Sequence, residues 1–208
     1  MSPWRAALHN AVGLGLFAAV TVGAIALTAT LTGDRIEANQ ERMRQAALLE
    51  ILAPSAGSDL DFDLSDTVSL ESQALGHRQP QTAVRARRDG KMVALLVPLR
   101  IADGYSGDIH LLLGIEADGR IAGARVVEHR ETPGLGDAIE RRKSDWIESF
   151  KGRSLGDPPL EGWTVKRDGG DFDAFTGATI TPRAVARGIG RALVWFEEDG
   201  RALLETAP

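Results

Sequence analysis

The chain has 208 residues and a formal net charge of −5, which leaves room for one ordinary domain and an appendage. Its lysines and arginines form no dominant run, which argues against a nucleic-acid partner. Without cysteine it has no disulfide, thiolate nucleophile, cysteine-ligated zinc, iron–sulfur cluster or c-type haem attachment, and His9, His77, His110 and His129 stand at no metal-ligand spacing.

Residues 1–10 form a leading tail. From Ala11 to Leu31 no side chain is charged, and about 20 such residues cross a bilayer core. A transmembrane helix is therefore predicted over residues 11–32. Arg5 precedes the run, while Asp34, Arg35 and Glu37 follow it. That bias keeps the tail cytoplasmic and exports the rest. A cleavable signal peptide is the other reading, because "AIA" at Ala24–Ala26 resembles a cleavage site. The run is, however, longer than the usual apolar core of about 7–15 residues. Both readings put the remainder on the outer side of the inner (cytoplasmic) membrane, in contact with lipid only through the anchor.

Residues 33–81 give a juxtamembrane helix and a connector. Ile36, Met43, Ala47, Leu48 and Ile51 recur at helical spacing, and Pro54 is a stop. The stretch from Ser55 to Pro80 is rich in Ser, Asp, Gly and Gln and predicts an irregular connector.

A domain is predicted over residues 82–208. "TAVRAR" meets "MVALLVPLR" across Asp89-Gly90, and "DIHLLLGIE" meets "RIAGARVVEH" across Asp118-Gly119. Asp-Gly is a strong hairpin dipeptide, so these runs predict an antiparallel sheet. Asp137 to Phe150 predicts a helix with Ile139, Trp146, Ile147 and Phe150 inward, and a strand follows at Trp163 to Lys166. The last helix runs from about Pro182 to Glu198, with Val185, Ile189, Leu193 and Phe196 as its buried stripe. Strands first and helices later give an α+β fold: an antiparallel sheet with flanking helices behind one N-terminal transmembrane helix. His129 is expected to hydrogen-bond within the sheet and His110 to face solvent. Trp146 and Trp163 are expected in the core, and Arg141, Arg142 and Lys143 on a solvated helix face.

Ahead of the last helix stands "DAFTGATITP", Asp173 to Pro182. Thr181 suits an N-cap and Pro182 the first helical position. A helix N-terminus offers free N–H groups and a positive dipole end to an anion. Gly177 and Ala178 leave the backbone bare beside the Thr179 hydroxyl, so the stretch fits a phosphate-bearing ligand. A threonine-rich turn that only caps a helix fits it too.

Residues 173–179 resemble the D-x-x-[ST]-G-A-T flavinylation motif, with Thr176 where Ser is common. Upstream, "HRETPGLG" from His129 to Gly136 resembles H-x-E-T-P-G-L-G, and "GYSGDI" from Gly104 to Ile109 resembles G-Y-x-G-x-I, both of the same FMN-binding domain family. Motif order and the single anchor resemble the G subunit of the Rnf ion-translocating electron transport complexes. The C subunit of sodium-pumping NADH:quinone reductase is the related alternative, and a cofactor-free membrane-anchored assembly adaptor is the alternative of another class. The resemblance implies FMN in phosphoester linkage to Thr179. It implies that Asp173 helps position the incoming group, and that Thr176, Gly177 and Ala178 shape the phosphate loop. Glu131, Thr132, Gly134 and Leu135 would lie against the flavin. The implied partners are the other membrane subunits of the complex and a flavin transferase. The implied activity is electron relay between ferredoxin and NAD, coupled to Na⁺ or H⁺ movement, with no substrate of the chain's own.

Overall fold

The apolar run and the amphipathic stretch after it form one helix, α1 (Pro3–Ala56), in a computed structural model that describes residues 3–56 and 62–205. It continues two residues past Pro54, the expected stop. The chain divides into two compact units, Met1–Met43 and Arg44–Pro208. Within the first unit, Pro3–Gly33 is long and apolar enough to cross a membrane, with a mean hydropathy of 2.1 and no burial. Its threonines return their hydroxyls to the helix: Thr21 to the Phe17 carbonyl at 2.5 Å, Thr28 to Ala24 at 2.8 Å and Thr32 to Thr28 at 2.7 Å. No hydroxyl of these three is left for lipid to desolvate.

The second unit holds a five-stranded antiparallel sheet in the order β1-β2-β3-β4-β5. The strands are β1 (Thr67–Leu70), β2 (Gln81–Arg88), β3 (Lys91–Ile101), β4 (Ile109–Glu116) and β5 (Ile121–Glu128). Both expected hairpins form. Asp89 and Gly90 have φ of 51° and 73°, the paired positive values that a tight two-residue hairpin turn needs. The expected connector is more ordered than its composition suggests. It contributes β1, whose Thr67 pairs with Val84, and a short 3₁₀ turn at Gln73–Leu75. Residues 57–61 of that connector lie outside the described residues. The compact unit therefore takes in the end of α1 and β1, which a start at Thr82 leaves out.

The sheet buries both faces. Leu95, Val97, Leu99, Ile109, Leu111 and Leu113 point toward α2 (Ile180–Trp195) and the loops before it. Leu96, Leu112, Val84 and Ala122 point the other way, under Ala47, Leu48, Ile51 and Leu52 of α1. The expected stripe of Val185, Ile189, Leu193 and Phe196 is fully buried. Helix α2 starts earlier than expected, at Ile180, and hands over at Phe196 to a wider helical turn, followed by α3 (Ala202–Glu205).

Two expected elements are corrected. Asp137–Phe150 is not a helix but two 3₁₀ turns, Gly136–Ile139 and Trp146–Phe150. The Ser144 side chain breaks the run: it donates to the Ala138 carbonyl at 2.7 Å and accepts from the Trp146 N–H at 3.1 Å, the groups a continuous helix would pair internally. Ile139, Ile147 and Phe150 are buried all the same. Trp163–Lys166 is no strand; only Val165 makes a single bridge, to Phe172.

Candidate functional site

Three loops meet beside the N-terminus of α2 and enclose a cavity of about 290 Å³. Its walls are Tyr105 from the β3–β4 loop, Glu131, Thr132, Leu135 and Gly136 from the loop after β5, and Gly177 to Thr181. Of the residues implied by resemblance, Glu131, Thr132, Leu135, Gly177, Ala178 and Thr179 line it, whereas Gly134, Asp173 and Thr176 do not. Tyr105, Gly136 and Ile180 line it without having been singled out, although each lies inside a quoted stretch, and Thr181, expected only as a helix cap, lines it too.

The loop before α2 is a fixed turn. The Ala178 N–H donates to the Phe175 carbonyl at 3.1 Å, and Gly177 takes φ of 81°. That positive φ at the third turn position is why a glycine is needed. Trp146 anchors the turn from outside: its indole N–H donates to the Asp173 carbonyl at 2.8 Å, and its ring meets Phe175 edge-on at 5.1 Å. Trp146 is thus only partly buried, while Trp163 is a core residue. The Asp173 carboxylate points outward to Lys166 Nζ at 2.7 Å.

Thr179, not Thr181, occupies the N-cap position, and its carbonyl accepts from the Arg183 N–H at 3.3 Å. The N–H groups of Ile180 and Thr181 open the helix with no preceding turn to accept them. Pro182 has none to satisfy. The expectation that Thr181 caps the helix is overturned by its side chain, which is buried and donates to Glu131 Oε2.

Glu131 is the point on which the three loops converge. It is 4% exposed. Its Oε1 accepts from the Ser106 N–H at 2.9 Å and its Oε2 from the Thr181 hydroxyl. Glycines make its space: a Cβ on Gly104 would stand 2.9 Å from Oε1, and one on Gly136 would stand 2.9 Å from Oε2. The Glu131 N–H donates to His129 Nδ1 at 3.0 Å, and His129 Nε2 faces Glu140 Oε1 at 2.9 Å. These partners place the ring proton on Nε2. His129 therefore serves this loop rather than the sheet, since β5 ends at Glu128.

The same loop carries other carboxylates. Burial opposes the Asp137 charge, but hydrogen bonds from Lys143 and the Gly134 N–H hold the carboxyl below its usual range. Burial opposes the Glu140 charge as well, and hydrogen bonds from Arg142 and His129 outweigh it. Arg141, Arg142 and Lys143 are solvent-facing as expected, on a turn rather than a helix, and each holds a carboxylate. Arg183, the cation nearest the helix start in sequence, is bound to Asp168, whose carboxyl it holds low. Among the described residues, no lysine or arginine lines the cavity.

Residues 104–194 match the family described as the FMN-binding domain, and residues 1–51 match the one described as the RnfG N-terminal region. The G subunit of the ion-translocating oxidoreductase complex of Pseudomonas aeruginosa is 48% identical over 200 residues, 96% of this chain and 93% of that protein. Proteins of the same name from Vibrio atlanticus and Shewanella baltica are 42% and 40% identical, over 94% and 97% of this chain and 92% and 94% of their own lengths.

Proposed function

Because the chain belongs to the RnfG family, the G subunits of ion-translocating oxidoreductase complexes, we propose that it carries FMN in phosphoester linkage to Thr179 and relays electrons through it. The observation that carries this reading is the placement of Thr179: it forms part of the cavity wall and the N-cap of α2 at once. The dipole end and open N–H groups of the helix favour a phosphate there. No lysine or arginine among the described residues lines the cavity, so the helix N-terminus is what would face the phosphate charge, and a covalent bond would hold the group without an ion pair. Tyr105, Leu135 and Ile180, exposed hydrophobic side chains around the same cavity, suit the flat ring system.

Attachment needs an activated donor, because a hydroxyl cannot displace water from a free phosphate. Thr179 would provide the accepting hydroxyl and a flavin transferase the activated flavin phosphate: the new P–O bond would form as the donor's phosphoanhydride bond breaks, with the electron pair going to the leaving phosphate and the hydroxyl proton to a base of the transferase. Bound FMN supplies one- and two-electron chemistry that the side chains lack. The chain's own part is to fix the phosphate end with the Phe175–Ala178 turn and to shield one side of the ring. Pro3–Gly33 would anchor it in the inner membrane, with the domain on the periplasmic side against the other membrane subunits.

The test is a denaturing gel of the full chain made together with a flavin transferase, viewed for flavin fluorescence, and the intact mass. The expected result is a fluorescent band with the mass of one FMN added, absent in Thr179→Ala, whose melting temperature stays close to the parent's. A dark parent band from a host that flavinylates a control protein would leave the cavity without its flavin and favour the assembly adaptor.

A further inference from the structure

Three carboxylates of the loop after β5 are treated differently. Asp137 has Lys143 Nζ at 3.1 Å, and Glu140 has Arg142 and His129. Glu131 has only neutral donors, the Ser106 N–H and the Thr181 hydroxyl, and no ion pair among the described residues. It is also the one of the three in the cavity wall. We propose that the Glu131 carboxylate is an uncompensated negative charge that makes the bound flavin harder to reduce. This inference rests on the FMN reading above.

The effect is electrostatic. A carboxylate repels a phosphate, so the phosphate end of the ligand belongs at Thr179 and the uncharged part toward Glu131. Reduction adds negative charge to the ring. A fixed negative charge in the cavity wall, away from bulk water, would oppose that addition far more than an exposed one. A lysine or arginine could stand beside Glu131, as one does beside each neighbouring carboxylate. Instead Gly104 and Gly136 leave room for the charge, and neutral donors hold it in place.

The experiment titrates the flavin of the purified, loaded full chain in detergent with dithionite and indicator dyes, following flavin absorbance. Glu131→Gln removes the charge and keeps the shape. At fixed solution potential the reduced-to-oxidised ratio should rise on the order of tenfold. Glu131→Asp keeps the charge and should leave the ratio near that of the parent. Glu131→Leu removes the charge with an apolar side chain of similar size and should raise the ratio likewise; it decides the matter if Glu131→Gln does not load. An unmoved ratio in loaded Glu131→Gln or Glu131→Leu, or an equal rise in Glu131→Asp, would each overturn the proposal. Failure of the parent chain to take up flavin would instead remove the FMN reading, and the two failures are told apart by intact mass.

Discussion

The two faces of the sheet are buried by different means. Toward α2 the packing is large against large: Phe150 lies 4.3 Å from Phe172 and 6.2 Å from Trp163, centroid to centroid, over Leu111, Leu113 and Ile109. On the other face the paired glycines Gly114 and Gly123 leave a notch for Ile51 of α1. A Cβ on Gly114 would stand 2.5 Å from Ile51 Cγ2, and one on Gly123 3.5 Å from Ile51 Cα. Arg125 fastens the same helix end through Glu50 at 2.8 Å. The first face builds the cavity. The second joins the domain to the tail of the helix that leads into it.

This contrast is broken most severely by truncation. A fragment starting at Thr82 lacks β1 and residues 47–52 and bares Leu96, Leu112, Val84 and Ala122. It should aggregate, whereas one starting at Gly33 should be soluble and monomeric by size-exclusion chromatography. Equal solubility of the two would mean that α1 contributes no cover. Single substitutions sharpen the comparison. Phe150→Ala should cost about 4 kcal/mol and lower flavin loading, because Phe150 supports Trp146 at 5.1 Å and through it the Asp173–Thr179 turn. Ile51→Ala should cost about 3 kcal/mol with loading unchanged. Urea denaturation and the fluorescent gel, run side by side, separate the two. Gly177→Val comes next: a branched residue at φ of 81° should cost about 1–2 kcal/mol and abolish loading by reshaping the turn. Normal loading in that variant would mean the turn is not read by the transferase.

The strands of this contrast are legible in the sequence and their covering is not. Asp89-Gly90 and Asp118-Gly119 announce both hairpins because only certain residues accept their backbone angles. The apolar stretch "MVALLVPL" of β3 leaves neither face polar, and the structure covers both. What covers the second face cannot be read, since Ile51 and Gly114 are joined only in space. The false helix at 137–150 has the right apolar spacing, but Ser144 diverts the backbone bonds. At the site, local motifs name Thr179 and Glu131. They cannot show that Ser106, Glu131 and Thr181, from separate motifs, share one carboxylate. Thr181 reads as a cap because a threonine before Pro182 has the right pattern; burial gives it another partner.

The smallest expected effect tests the edge of the second face. Strand β1 is short, and Asp66 just before it ties it to β2: the carboxylate accepts from Arg85 at 2.5 Å and Arg87 at 2.8 Å. The hydrogen bond from Arg87 lowers the Asp66 pKa most, burial opposes it, and Arg85 lowers it further, so the folded value lies below the ordinary 3.8. A depressed carboxylate stabilises the folded state fully above the ordinary value, and that contribution fades as pH falls through the folded value. Asp66→Asn should therefore lower the melting temperature at neutral pH and leave a shallower loss between neutrality and acid. Since Arg85 is buried, the variant also removes the carboxylate that faces its charge, and the edge of the sheet near Phe62 and Leu64 should exchange its amide hydrogens faster. Parallel melting curves for variant and parent across that range would show that the pair does not hold β1.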